Sequence, residues 1–282
     1  MKRVVAFPLT RMVLIVLLFG GLALPLVRSV HPPYSIWHTV IVNWLLALAL
    51  LAAMLVVERV TVHENAAQVG LDARSAPRDF VFGLLFGAGL FTLVILELAA
   101  GGFYRIVAAH VSWDLGFAAL LLLADALLEE LLFRGVLFRL LEEWTGTWIA
   151  LTASAALFGL AHAANPGATW FSSLAIALEA GVLLGAAFVV TRNLWFPIGL
   201  HCAWNFFEGP VYGSEVSGHQ FLTSAVVSHV AGPTLLTGGQ FGPEAGLFAL
   251  VTCLVPAVAL LAYAARRSLI VPFGAGKHVS RQ

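Results

Sequence analysis

Eight stretches of this chain are long enough and poor enough in charge to cross about 30 Å of hydrocarbon as helices. They fall at residues 12–27, 36–57, 80–100, 115–133, 148–162, 170–190, 194–207 and 247–265. The expected architecture is therefore all-α, a polytopic membrane helix bundle of about eight transmembrane helices. The fifth and seventh stretches are short, which implies tilt or extension into their flanks. Residues 134–144 are expected to continue the fourth helix into the interface, where Arg139, Glu142 and Glu143 can face headgroups. Only 11% of residues are charged, against about 25% in a soluble domain. No polar stretch is long enough to bury its own core. The net charge is zero, so nothing in the charge balance points to nucleic acid. The two cysteines, Cys202 and Cys253, lie in apolar segments and form neither a disulfide framework nor a CxxC metal site.

Charge asymmetry orders the spans. With the N-terminus in the cytoplasm and eight alternating crossings, 13 of the 15 Lys and Arg residues fall on the inner side, and Arg28 and Arg105 on the outer. An odd number of spans would destroy this asymmetry, so both termini are expected to be cytoplasmic. Residues 1–79 then form an N-terminal membrane hairpin and cytoplasmic loop, and 80–208 a membrane core. Residues 209–246 form an extracytoplasmic loop without Lys or Arg, and 247–282 the last membrane helix and a cytoplasmic tail. That 38-residue loop is either a lid over a site or a plain surface connection. Lys2, Arg3 and Arg11 before the first apolar run resemble a signal sequence, but no clear small-x-small site follows, so an uncleaved anchor is expected.

Ionisable groups at membrane depth are expensive and usually functional. Three motifs place them there: Glu129-Glu130-Leu131-Leu132-Phe133-Arg134, Phe158-Gly159-Leu160-Ala161-His162 and His201-Cys202-Ala203-Trp204-Asn205. Glu130 and Arg134 are four apart in the order that pairs them on one helix face. Glu129 points about 100° away and has no local partner. A carboxylate in apolar surroundings is a stronger base than one in water, which suits it to take a proton from an attacking water. Asp125 shares a face with Glu129 and reads as mainly structural. Phe158 and His162 share a face, with His162 just before the turn 163–167. His201 and Asn205 also share a face, and both can donate to a developing oxyanion.

These motifs resemble the CPBP intramembrane protease family, also called the CAAX protease/bacteriocin-processing or Abi family. Its pattern is EExxxR, then FxxxH, then HxxxN or HxxxD. All three elements are present here in order, over residues 80–207, and Val69-Gly70-Leu71 also looks like members of the family. The resemblance implies a helical bundle, commonly of eight membrane helices, in the bacterial cytoplasmic membrane. It implies an endopeptidase acting on membrane-associated proteins or peptides, in which Glu129 activates the water with help from His162. His201 and Asn205 would line the oxyanion hole, with Glu130, Arg134 and Phe158 in support and no cofactor. Within the family, the eukaryotic branch trims prenylated CAAX proteins, while bacterial relatives process peptides or act in bacteriocin immunity.

Several alternatives stay open. Glu129, His162 and His201 could bind zinc with one open position, although there is no HExxH. The polar cluster could serve a non-catalytic immunity or peptide-binding protein, or a proton relay in a transporter. Ser154, Ser172 and Ser173 have no GxSxG-like setting, and Cys202 does not face His201 on a helix. One tension is built in. On the drawn topology Glu129 lies near the inner end of the fourth helix and His162 near the outer end of the fifth. Their meeting requires a tilted fifth helix or a shifted fourth.

Overall fold

The computed structural model describes residues 2–28, 36–109, 114–221 and 223–274. The tail beyond residue 274, including Lys277 and Arg281, lies outside the described residues. The helices are α1 (Lys2–Val5), α2 (Pro8–Arg28), α3 (Ile36–Thr61), α4 (Ala76–Ala100), α5 (Leu115–Glu130), α6 (Arg139–Thr145), α7 (Thr147–Ala161), α8 (Trp170–Ile176), α9 (Val182–Thr191), α10 (Trp195–Phe206), α11 (Thr234–Thr237) and α12 (Leu247–Arg266). Three π-helical segments interrupt them, at Leu131–Phe138, Ala177–Gly181 and Phe207–Val211.

Among the described residues, six helical runs are long and apolar enough to cross a membrane: Pro8–Arg28, Trp37–Thr61, Ala76–Ala100, Thr147–Ala164, Trp170–Thr191 and Leu247–Arg266. The other two expected spans are helical but fall outside that set. The run from Leu115 carries Asp125, Glu129 and Glu130, and α10 has 12 residues before its π segment. Leu17, Leu85, Leu96, Val255 and Val258 lie exposed on the outer faces of the helices. An apolar exterior over helices with internally satisfied backbones suits lipid rather than water. The protein is an integral membrane helix bundle.

The fourth helix continues past residue 133, as expected for residues 134–144. α5, the segment Leu131–Phe138 and α6 run on without a break in helical backbone to Thr145. The turn that follows needs glycine: Gly146 has φ of 82°, and a Cβ there would sit 2.8 Å from the Val271 carbonyl oxygen. Glu129 stands 17 residues before Gly146 and His162 16 residues after it. At 1.5 Å per residue, both lie roughly 25 Å from that turn. The two helices thus bring both residues to the same depth: the expected continuation through 134–144 is part of the fourth helix's length and sets Glu129 about 25 Å from its end rather than near it.

α4 and α10 approach backbone to backbone. Gly83 and Gly87 form a GxxxG face on α4. A Cβ on Gly83 would lie 2.3 Å from the Phe196 oxygen, and one on Gly87 2.2 Å from the Leu200 oxygen. Small residues at such a face let backbones meet in a bilayer, where no hydrophobic force drives helices together. This contact seats α10, and with it His201 and Asn205.

Two strands, β1 (Tyr104–Ala109) and β2 (Val226–Val230), pair antiparallel from Tyr104↔Val230 to Ala109↔Val226. Neither strand is foreseen from the sequence, because each is short and lies in a connection. The ribbon ties the segment after α4 to the long loop, so both sit at one end of the bundle. Charges gather at the other end. Buried Arg11 bonds Glu58 at 2.6 Å and also pairs with Glu143, and Arg139 bonds the second oxygen of Glu58 at 2.7 Å. Arg192, after α9, pairs with Glu142 on α6.

Candidate active site

Glu130 and Arg134 are both fully buried, with Arg134 Nη1 donating to Glu130 Oε1 at 2.8 Å. Arg134 Nη2 donates to the carbonyl oxygens of Ala180 and Gly181, at 3.1 and 3.2 Å. Those carbonyls belong to the π segment Ala177–Gly181, where the wider helical turn presents backbone acceptors sideways. A buried cation is tolerable only when paired and hydrogen-bonded. The carboxylate and the two carbonyls meet that need.

The same Glu130 oxygen accepts from Nδ1 of His201 at 3.0 Å. With a carboxylate at Nδ1, the other ring nitrogen, Nε2, is left to face Glu129 at 3.9 Å. That separation is beyond a direct hydrogen bond. The buried Oε2 of Glu129 has no hydrogen-bond partner among the described residues. Glu130 therefore orients His201, while Glu129, the next residue in the chain, points elsewhere, as its 100° offset requires.

Phe158 explains the aromatic position of its motif. Its buried ring lies beneath the Arg134 guanidinium, 4.6 Å from Cζ to the ring centre. It also lies 4.8 Å from the His162 ring and 6.0 Å from the His201 ring. Phe133 meets it edge-on at 4.9 Å. His162 Nδ1 is 2.8 Å from the Phe158 carbonyl oxygen. A carbonyl only accepts, so Nδ1 carries the hydrogen and Nε2 is the nitrogen left for other partners.

Glu129, His162, His201 and Asn205 line one cavity of about 700 Å³, together with Asp125, Asn43 and Asn165. Asp125 accepts a hydrogen bond from Asn43 of α3 at 2.5 Å. The long loop supplies another wall of the cavity through Val216, Ser217, His219, Gln220 and Phe221. The structure thus brings together all four candidate catalytic residues and sets Glu130, Arg134 and Phe158 directly behind them. Cys202 is buried and lies outside the cavity lining.

Some residues of this region were not singled out from the sequence. Asn43 is a lone amide in an apolar run, a visible signal of the same kind as Asn205. Ser217, His219 and Gln220 sit in a loop whose fold could not be read. Glu179, Glu208 and Glu244 are isolated acids, separated by 29 and 36 positions, and only the folded chain brings them near the site.

Residues 111–207 match the family model described as type II CAAX prenyl endopeptidase Rce1-like. That stretch contains all three motifs, and the match agrees with the resemblance they carry. No curated protein and no solved structure matches the chain.

Proposed function

We propose, from this family match and from the cavity between α5, α7 and α10, that the protein is an intramembrane endopeptidase. It hydrolyses peptide bonds of membrane-associated proteins or peptides with water activated by Glu129. One observation carries the mechanism: an unpartnered carboxylate oxygen of Glu129 stands 3.9 Å from His201 Nε2 at the wall of a cavity large enough for a peptide segment.

The gap between Glu129 and His201 suits a water that donates to the carboxylate. Glu129 takes one proton as the water oxygen attacks the peptide carbonyl carbon. His162 faces the same space with Nε2 and helps to hold the water. His201, protonated at both nitrogens between Glu129 and Glu130, donates from Nε2 to the oxyanion. The Asn205 amide, one helical turn on, donates beside it. Arg134 and Phe158 fix Glu130 and both imidazoles and touch no substrate.

A zinc variant would use Glu129, His162 and His201 as ligands. Among the described residues, no group of three or more His, Cys, Asp or Glu side chains is arranged to hold a metal ion. The residues as placed do not fit that ion. The test is cleavage by the full chain reconstituted in vesicles, using an internally quenched prenylated peptide and its unprenylated counterpart. Cleavage that persists under strong chelation is expected. Binding of either peptide without cleavage would instead favour the immunity or peptide-binding reading.

A further inference from the structure

Beside the histidines, away from the large cavity, three carboxyl groups meet that the reaction above does not use. Glu179 comes from the π segment Ala177–Gly181, Glu208 from the π segment Phe207–Val211, and Glu244 from the turn Pro243–Ala245. They are 1%, 0% and 3% exposed. Glu208 Oε1 accepts from the Glu244 backbone N–H at 3.1 Å, which holds the two acidic residues together. Glu244 Oε1 accepts from the backbone N–H and the hydroxyl of Ser217, at 2.8 and 2.7 Å. Glu179 shares the lining of one small cavity with Glu244 and Cys253. Among the described residues, no Lys or Arg side chain is recorded in an ion pair with any of the three.

Three buried carboxyl groups without a paired cation cannot all stay ionised except at a large desolvation cost. Like charges packed together away from water also favour shared protons over full ionisation. The cluster therefore stores protons. Two further observations give the store a direction. Two of the three acids sit in π segments, which recur at functional sites because the extra residue re-aims a side chain. The buried Oε2 of Glu179 also has no hydrogen-bond partner among the described residues, and Glu179 lines a separate cavity of about 30 Å³. Glu244, Ser217 and Cys253 line that cavity with it, and so do His162, His201 and Asn205. That volume admits a water or two, since one water needs roughly 10–15 Å³.

We propose that the Glu179–Glu208–Glu244 cluster is a proton store for the peptidase site, with Glu179 exchanging protons with the histidines through water in the small cavity. The proposal rests on the hydrolytic reading above. In amide hydrolysis the attacking water loses a proton as its oxygen bonds to carbon, and the departing nitrogen gains one as the C–N bond breaks. Glu129 takes the first proton. Glu179 supplies the second through water and an imidazole, and regains a proton when Glu129 releases the one it took. Only the substrate water is consumed. Glu179 touches no reacting atom and is a positioning residue for the proton. The titratable groups facing it are Glu208, Glu244, Cys253, His162 and His201.

The test uses the full chain in vesicles with the prenylated peptide. Glu179→Gln keeps the shape of a neutral acid but cannot release a proton. It should lower kcat roughly 100-fold, change KM less than about two-fold, and shift the pH profile of kcat, while the melting temperature holds. Glu179→Asp should restore part of kcat and the original profile. Infrared spectra of the resting protein should show a protonated-carboxyl band that Glu179→Gln alters. That band needs no turnover, so a wild-type chain that cleaves nothing would overturn the peptidase reading while the store is still tested. A Glu179→Gln chain with unchanged kcat and pH profile, or one that fails to fold, would overturn the store. So would a wild-type protein without the carboxyl band, or one holding a stoichiometric metal ion that Glu179→Gln releases.

Discussion

Glu130 accepts a hydrogen bond from His201 Nδ1 at 3.0 Å with the same oxygen that holds Arg134 at 2.8 Å. A single carboxylate oxygen thus fixes both an imidazole ring and a fully buried guanidinium. Its two duties separate in mutants. Glu130→Ala leaves Arg134 buried and unpaired and should cost about 3–5 kcal/mol of stability. The double variant Glu130→Gln/Arg134→Met removes both charges and should recover most of that loss. It should stay poorly active, because a neutral amide oxygen holds the His201 imidazolium less firmly than the carboxylate did. Melting curves and peptide turnover on the three proteins check this.

Asn205 shares the cavity wall with His201 but is assigned no part in activating the water. Asn205→Ala should reduce kcat about 10²–10³-fold, the usual effect of losing one oxyanion donor, and leave KM nearly unchanged. Steady-state kinetics on the prenylated peptide would show it. A rise in KM with unaltered kcat would instead make Asn205 a binding residue.

The glycine face of α4 yields a contrast between two positions one turn apart or less. A Cβ on Gly87 would meet the Leu200 oxygen at 2.2 Å, whereas one on Gly89 meets nothing within 4 Å. Gly87→Ala should force α10 away, lower the melting temperature and disturb His201, the residue after Leu200. Gly89→Ala should leave activity intact and stabilise slightly, since alanine suits a helix better by up to about 1 kcal/mol.

Much of this site was legible before any coordinates. Glu129, Glu130, Arg134, His162, His201 and Asn205 stand out because a charge or amide among apolar residues is costly, and helical spacing alone told which of them share a face. The pairing of Glu130 with Arg134 followed from four-residue spacing, and the divergence of Glu129 from adjacency. Depth was harder. Counting residues 134–144 as an interfacial extension set Glu129 near one face and His162 near the other, whereas the same residues as part of one rod reaching Gly146 bring them level. The π segments left no mark in the sequence, because they change hydrogen bonding without changing composition. Glu179, Glu208 and Glu244 each read as an isolated acid, and their meeting is a product of tertiary packing. The strands β1 and β2 have too few residues for a pattern to rise above that of a connection.

The central claim is that Glu129 activates the water. Glu129→Gln preserves the shape and removes the base, whose buried Oε2 has no hydrogen-bond partner among the described residues. The measurement is kcat of this variant on the prenylated peptide in vesicles, with its melting temperature and peptide affinity measured alongside. Expected is a fall of about 10²–10⁴-fold or more in a protein that melts and binds like the wild type. Wild-type turnover by folded Glu129→Gln would contradict the assignment of Glu129 as the base.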